Sequence, residues 1–387
     1  MYNDLPAEGR TKMMRLYSPG HPDRFANKFR MSPRLYETLV RILMSERGLE
    51  FSKRARKDSV PVDIHEAVGL AIDFLARGNS VRDQSDEWGR TKSCTHKWKW
   101  RVLNQIVRVL YPRYVTQNTD DYTASSRRRL SESSLFHHFS GAVGAVYGTH
   151  IAFTPEHGDM ARWINRMGYT STNVTAVVNF DMCFTYVFAG LEGSTHDSTA
   201  IQIAHNRSAI DLPMHSFLLG DAGYPLHSQQ SNSGRMLPPI LTPYRGTRYH
   251  LKEYGNSTLR PRNRKEILNL QHAKLRNVVE RTFGVLKKRF RVFRAPLECQ
   301  IPQTCLVIYA ACALHNFIRK EQTPQEDEAM ERILQEDQDV DAEECDLDLT
   351  AVASGSLISS NIWRDDISQA IWQEYSNFPE IMVCKVT

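Results

Sequence analysis

No pair of cysteines in this chain has a CxxC or other zinc-ligand spacing, and the seven (Cys94, Cys183, Cys299, Cys305, Cys312, Cys345 and Cys384) are odd in number. This argues against a disulfide framework or a cysteine-based zinc module; the reading is of reduced thiols in an intracellular protein, most of them small core residues. No apolar run approaches the roughly 20 residues that a membrane helix needs, so no membrane partner is expected. No secretory leader is expected either, because residues 1–18 scatter Asp4, Glu8, Arg10, Lys12 and Arg15 where an apolar centre would have to lie. Basic residues are scarce only at the C-terminal end. Residues 321–387 carry 17 Asp and Glu against 3 Lys and Arg, which leaves 46 basic and 27 acidic residues up to Lys320. A body that basic suits a polyanionic partner. The alternative is a solvated surface balanced by its own acidic tail.

At 387 residues the chain has room for one large and one smaller domain. Near the N-terminus, Ser32 and Pro33 read as a helix cap and a first-turn proline ahead of Leu35, Leu39, Ile42 and Leu43 at helical spacing. A second helix is bounded by Asp63, with Glu66 at the capping-box position, and by Gly78. Ser80 and Gly89 bracket a short third one, and a longer helix follows over 93–110. The spacing is helix, turn, helix. Its second member places Trp98, Val102, Ile106 and Leu110 on one face, and Lys92, His96, Lys99 and Arg101 near its start or on other faces. DNA-binding units of this kind present such residues to the major groove, although the same spacing fits a helical domain that only packs against its neighbour.

From Gly141 the pattern becomes strand-like over 142–146, 173–180 and 184–189, rich in Val, Thr, Tyr and Phe. A helix from Ser198 and an apolar strand over 217–219 complete a mixed α/β sheet. A long helix is expected over 264–293 and an apolar, buried one over 302–318. Residues 321–350 have the composition of a disordered acidic linker. Ile362, Trp363, Ile367, Ile371 and Trp372 then predict an amphipathic helix that docks back or binds a partner.

Cutting a phosphodiester with two metal ions takes hard anionic oxygens, and carboxylates supply them. Asp221 follows an apolar strand between Gly220 and Ala222-Gly223, and Glu280 lies mid-helix beside the buried stripe. Each alone also reads as a cap or a solvated charge. The ordered words around them say more: Gly148-Thr149-His150-Ile151; Asn165-Arg166 with Gly168-Tyr169; Gly193-Ser194-Thr195-His196-Asp197-Ser198; Leu219-Gly220-Asp221-Ala222-Gly223-Tyr224; Leu241-Thr242-Pro243-Tyr244; Glu280-Arg281-Thr282-Phe283-Gly284; and Leu314-His315-Asn316. This stretch resembles the DDE-type nuclease domain of PIF/Harbinger transposases and their host-domesticated descendants.

The resemblance implies an RNase H-like α/β domain over 121–320, preceded by an N-terminal extension over 1–30 and a helix-turn-helix-like all-α domain over 31–120, and followed by the acidic linker and a tail over 351–387. It carries the second catalytic Asp onto Asp221 and the catalytic Glu onto Glu280, both as ligands of Mg²⁺ or Mn²⁺. The first Asp falls on Tyr147. No acid lies between Gly141 and Thr154, and a phenol is a poor Mg²⁺ ligand, so the metal site is expected to be damaged. His196 and Asp197 are auxiliary candidates, with an N-cap or first-turn acid as the alternative for Asp197. Lys287, Lys288, Arg289 and Arg291 are candidate phosphate contacts and a weak nuclear-import signal, or else a solvated helix face. Implied partners are DNA and a Myb/SANT-like or chromatin-complex protein, in the nucleus with or without a cytoplasmic share; the oligomeric state is left open. Three functions stand beside one another: an impaired DNA- or chromatin-binding descendant, an active metal-dependent endonuclease or transposase, and a protein-interaction scaffold without DNA.

Overall fold

A computed structural model describes residues 22–46, 48–49, 61–156, 158–226, 236–247, 260–336 and 358–377, together with Thr11 and Arg15. Among these, the chain forms α1 (Pro22–Phe29), α2 (Pro33–Ser45), α3 (Ile64–Arg77), α4 (Val81–Trp88), α5 (Lys92–Tyr114), α6 (Thr119–Leu130), a 3-10 turn (Ser134–Phe139), β1 (Ala142–Ala152), α7 (Met160–Trp163), β2 (Ser171–Asn179), β3 (Phe184–Glu192), α8 (Asp197–Arg207), β4 (Phe217–Leu219), β5 (Ile240–Leu241), α9 (Arg264–Arg289), α10 (Ile301–Glu321), α11 (Pro324–Glu336) and α12 (Ile358–Asn377). Two compact units interleave along the sequence. One comprises Met1–Thr116, Ile151–Thr172 and Gly284–Cys345, the other Gln117–His150, Asn173–Phe283 and Asp346–Thr387.

In the first unit the local signals act as the sequence predicts. Ser32 accepts from Leu35 N–H at 3.2 Å, Asp63 accepts from Glu66 N–H at 2.8 Å, and Gly78 and Gly89 end α3 and α4 in the left-handed conformation at φ 70° and 61°. Only glycine takes that conformation without a steric cost. Asp73 of α3, fully buried, is held by Arg77, by Trp88 Nε1–H at 3.0 Å and by Lys28 at 3.3 Å, so its charge is compensated inside the core.

Two expectations need correction here. Helix α10 is, by length and composition, long and apolar enough to cross a membrane, which the reading of apolar runs did not anticipate. It is 67% buried over its apolar window and packs along α5, where Asn316 Nδ2–H donates to Tyr114 C=O at 2.9 Å, so it serves as a core helix. The second correction concerns the acidic linker. Residues 324–336 of it form α11, because Met330, Ile333 and Leu334 recur at helical spacing and bury against Ala26; residues 337–350 lie outside the described ones.

Glu326, at the start of α11, accepts hydrogen bonds from Arg34, from Ser32 Oγ at 2.5 Å and from Thr323 N–H at 2.8 Å. Burial opposes its charge, but these donors outweigh burial and hold its carboxyl down to about 2, against the usual 4.5. A lowered carboxyl value stabilises the fold in full above the ordinary value and ceases to do so as the pH falls through the shifted one. The protection of α11 amides, after correction for the intrinsic pH dependence of exchange, is therefore expected to fall between pH 4.5 and about 2, and Glu326→Gln to abolish that fall.

The second unit holds the mixed five-stranded sheet, in the order β3-β2-β1-β4-β5, save for the far ends of β1 and β2. β1 pairs parallel with β4, Ala142 opposite Phe217 and Ala145 opposite Leu219, and β4 pairs parallel with β5. Val146, Val177, Tyr186, Ile201, Leu218 and Ile240 share one buried cluster, so α8 packs on the face of the sheet that Val146 enters. The next residue of β1, Tyr147, therefore points to the opposite face. Helix α12 docks within this unit: Trp363 meets Phe217 edge-on with centroids 5.1 Å apart, and Ser368 Oγ donates to Arg264 C=O at 2.9 Å.

Candidate active site

Tyr147 sits on the central strand, 7% exposed. Its ring lies 5.9 Å from that of Phe283 and 5.9 Å from the guanidinium of Arg276, both on α9. Arg276, itself 3% exposed, pairs one turn on with Glu280. A phenol ring over a cation thus occupies the place from which the resemblance would have a carboxylate reach Glu280, and the anionic charge of Glu280 is already met by Arg276. This i, i+4 pairing stands in the sequence, but the sequence reading did not single out Arg276.

On the other face of β1, at Gly148, the carboxylate of Asp197 approaches. A Cβ on Gly148 would stand 2.3 Å from Asp197 Oδ1, so no larger residue fits there without displacing it. Gly223 has the same acid nearby: its Cβ would stand 3.0 Å from Asp221 Oδ1 and 3.5 Å from Asp197 Oδ2. The two carboxylates therefore flank one glycine. Asp221 Oδ1 accepts from Gly223 N–H at 2.7 Å, which fixes its rotamer just beyond the end of β4. Of the two helix-start readings of Asp197, the structure has the first-turn acid rather than the N-cap: His196 occupies the cap position, and the Asp197 carboxylate turns to β1.

Tyr224, which the reading of the site also passed over, completes this side. Its ring is buried in the sheet core, and its hydroxyl lies 3.4 Å from where a Gly148 Cβ would stand, with no hydrogen-bond partner among the described residues. Burial first, then Asp197, Asp221 and Tyr147, push its hydroxyl well above the usual phenol value, so it stays a neutral donor. For a divalent cation the residues fit in part. Asp197 and Asp221 offer adjacent hard anionic oxygens, and the orphaned Tyr224 hydroxyl can donate to a ligand water. A pair of ions does not fit, because Tyr147 offers no anionic oxygen and Glu280 is engaged by Arg276.

Of the sequence-predicted nucleic-acid contacts, Lys92, His96 and Lys288 are exposed, and Arg101, Lys287 and Arg291 are half-buried. Two are corrected. Lys99 is 4% exposed, with its ammonium 4.1 Å over the ring of Phe74 and pulled down to about 8 by burial. Arg289 is 2% exposed and lowered to about 10, again by burial. Neither side chain is available to a phosphate at the surface. His315 and Asn316 are fully buried in α10, as core residues.

The sequence profile of the DDE superfamily endonucleases matches residues 146–316, opening one residue before Tyr147 and taking in Asp197, Asp221 and Glu280. This match and the relatives that follow support the resemblance to the Harbinger transposase-derived DDE nucleases. "Protein ALP1-like" of Arabidopsis thaliana is 22% identical over 322 residues, which cover 77% of this chain and 71% of that protein. "Putative nuclease HARBI1" of Homo sapiens and of Bos taurus are each 25% identical over 182 residues, 46% of this chain and 46% of theirs. The chain thus spans less than half the length of the HARBI1 proteins it matches. No solved structure matches it.

Proposed function

We propose that this chain is a Harbinger-type DDE nuclease relative that binds DNA or chromatin in the nucleus and that its two-metal cleavage is impaired. The observation that supports impairment is the placement of Tyr147 over Arg276, with Glu280 drawn into the ion pair. DNA binding is supported by the basic excess up to Lys320 and by exposed Lys92, His96 and Lys288. What chemistry remains belongs to this chain's own groups: Asp197 and Asp221 would hold a single Mg²⁺ or Mn²⁺, which when bound would polarise a phosphate oxygen. The family resemblance adds a Myb/SANT-like or chromatin-complex partner. A scaffold without DNA has less support, since Met330, Ile333 and Leu334 of α11 and Ile371 and Tyr375 of α12 are buried within their own units, although Ile362 of α12 is exposed.

A second reading, a working metal-dependent endonuclease, is favoured by Asp197 standing beside Asp221. Supercoiled plasmid incubated with the purified chain and Mg²⁺ or Mn²⁺ separates the two. The expected result is a retarded but uncut plasmid. Efficient cutting that Asp221→Ala or Glu280→Ala abolishes would establish the endonuclease.

The burial of Lys99 gives a paired test of the DNA surface. Lys99→Met removes a buried cation and is expected to leave DNA affinity unchanged. Lys92→Glu, at an exposed site, should lower affinity by about 3- to 10-fold at low salt, since one phosphate contact is lost and a repulsion added. Fluorescence anisotropy on a short duplex reads both, and a larger loss for Lys99→Met than for Lys92→Glu would contradict the assignment.

A further inference from the structure

Away from the carboxylates of the sheet, still within the second unit, three side chains converge on one point. His137 and His138 leave the 3-10 turn side by side, and Glu374 reaches them from α12. His138 Nε2 is 2.8 Å and His137 Nε2 is 3.4 Å from the same oxygen, Glu374 Oε2, and one ligand atom from each residue lies within 4.8 Å of the others. His137 is exposed, while His138 and Glu374 are half-buried, so the point of convergence keeps an opening to solvent.

The tautomers decide what this arrangement asks for. His137 Nδ1 lies against the carbonyl oxygen of Ser134, and a carbonyl only accepts, so Nδ1 carries the proton. In the neutral ring Nε2 then has a lone pair, and that lone pair faces a carboxylate oxygen. A neutral His138 can meet the same oxygen as an Nε2–H donor, so without a metal only the His137 lone pair stays turned toward the carboxylate, with the two ring centroids 3.9 Å apart at 37°. A divalent cation at the convergence point removes that conflict, because it takes the two Nε2 lone pairs and Oε2 together. The bond from His137 Nδ1–H to a backbone carbonyl is the outer support that metal-binding histidines have.

We propose that His137, His138 and Glu374 form a site for a divalent transition ion of the zinc class, with water at its open fourth position. Two imidazoles and a carboxylate with one open position are a known zinc donor set, and tetrahedral bonds of 2.0–2.2 Å would hold the ligand atoms about 3.3 Å apart. His137 Nε2 already stands at 3.4 Å from Oε2, and His138 Nε2 at 2.8 Å would have to draw back slightly. The ion ties α12 to the turn that leads into β1. The site is independent of the DNA reading and of the carboxylates at Gly148 and Gly223.

The test uses the full chain without a polyhistidine tag, stripped by a chelator and titrated with Zn²⁺ alone by calorimetry, in parallel with His138→Ala and Glu374→Gln. A one-to-one site is expected in the unmodified chain, weakened about 100-fold or more by either substitution, as removal of one of three protein ligands should do. Zn²⁺ should also raise the thermal midpoint of the unmodified chain and not that of the variants. Glu374→Gln keeps a hydrogen-bonding group of the same size, and the exposed His137→Ala replaces any variant that fails to fold. Absence of a one-to-one site, or zinc affinity unchanged by the substitutions, would overturn the proposal in favour of a hydrogen-bonded histidine–glutamate cluster.

Discussion

DNA affinity is expected to fall by about 1,000-fold between 50 and 200 mM salt if roughly six phosphates are contacted, because each contact releases condensed counterions. The basic residues available for this are the exposed ones. Charge reversal at Lys288 should weaken binding to all sequences alike and lower the salt slope by about one contact, whereas His96→Ala should alter sequence preference if α5 reads bases. Arg289 does not belong in that series, since reversing a 2% exposed side chain would disturb the first unit rather than a DNA surface. Anisotropy titrations at a series of salt concentrations measure the slope. A flat slope would leave the scaffold as the better account.

The residues that capped helices were legible because a cap is decided within four positions: Ser32, Asp63, Ser80, Gly78 and Gly89 all end their helices where the sequence places the ends. Burial of a charged residue is decided elsewhere in the chain. The period of α5 gives Lys99 a place off its apolar stripe, yet Phe74 of α3 covers it, and nothing near residue 99 announces that. The acidic composition of residues 324–336 hid three apolar positions whose partner, Ala26, lies some 300 residues away. Asp197 shows the same limit at the candidate site. A first-turn acid satisfies the local rule for helix starts, and only the sheet explains why it turns instead to Gly148. Tyr147 was the opposite case, legible from one position within a motif, although its pairing with Arg276 across to α9 needed the fold.

Tyr147→Asp is expected to raise affinity for Mn²⁺ by on the order of 10-fold or more, because it puts a hard anionic oxygen on the central strand beside Glu280. The substitution has a cost. Tyr147 is 7% exposed and packs on Phe283, so losing the ring and burying a carboxylate should destabilise the unit by about 2–4 kcal/mol without metal. Bound metal offsets that loss, so added Mn²⁺ should raise the thermal midpoint of Tyr147→Asp far more than that of the unmodified chain. Tyr147→Phe separates the two effects, since it keeps the ring over Arg276 and adds no oxygen: its Mn²⁺ response should match the unmodified chain. Cleavage is read in the same samples, and any activity gained by Tyr147→Asp should vanish when Asp221→Ala is added. Arg276 sets the ceiling on that gain. Its guanidinium competes with the metal for Glu280, so metal affinity is expected to recover further than turnover does. An unmodified chain that binds Mn²⁺ as tightly as Tyr147→Asp would mean that Asp197 already supplies what Tyr147 withholds, and the impaired reading would give way to the endonuclease.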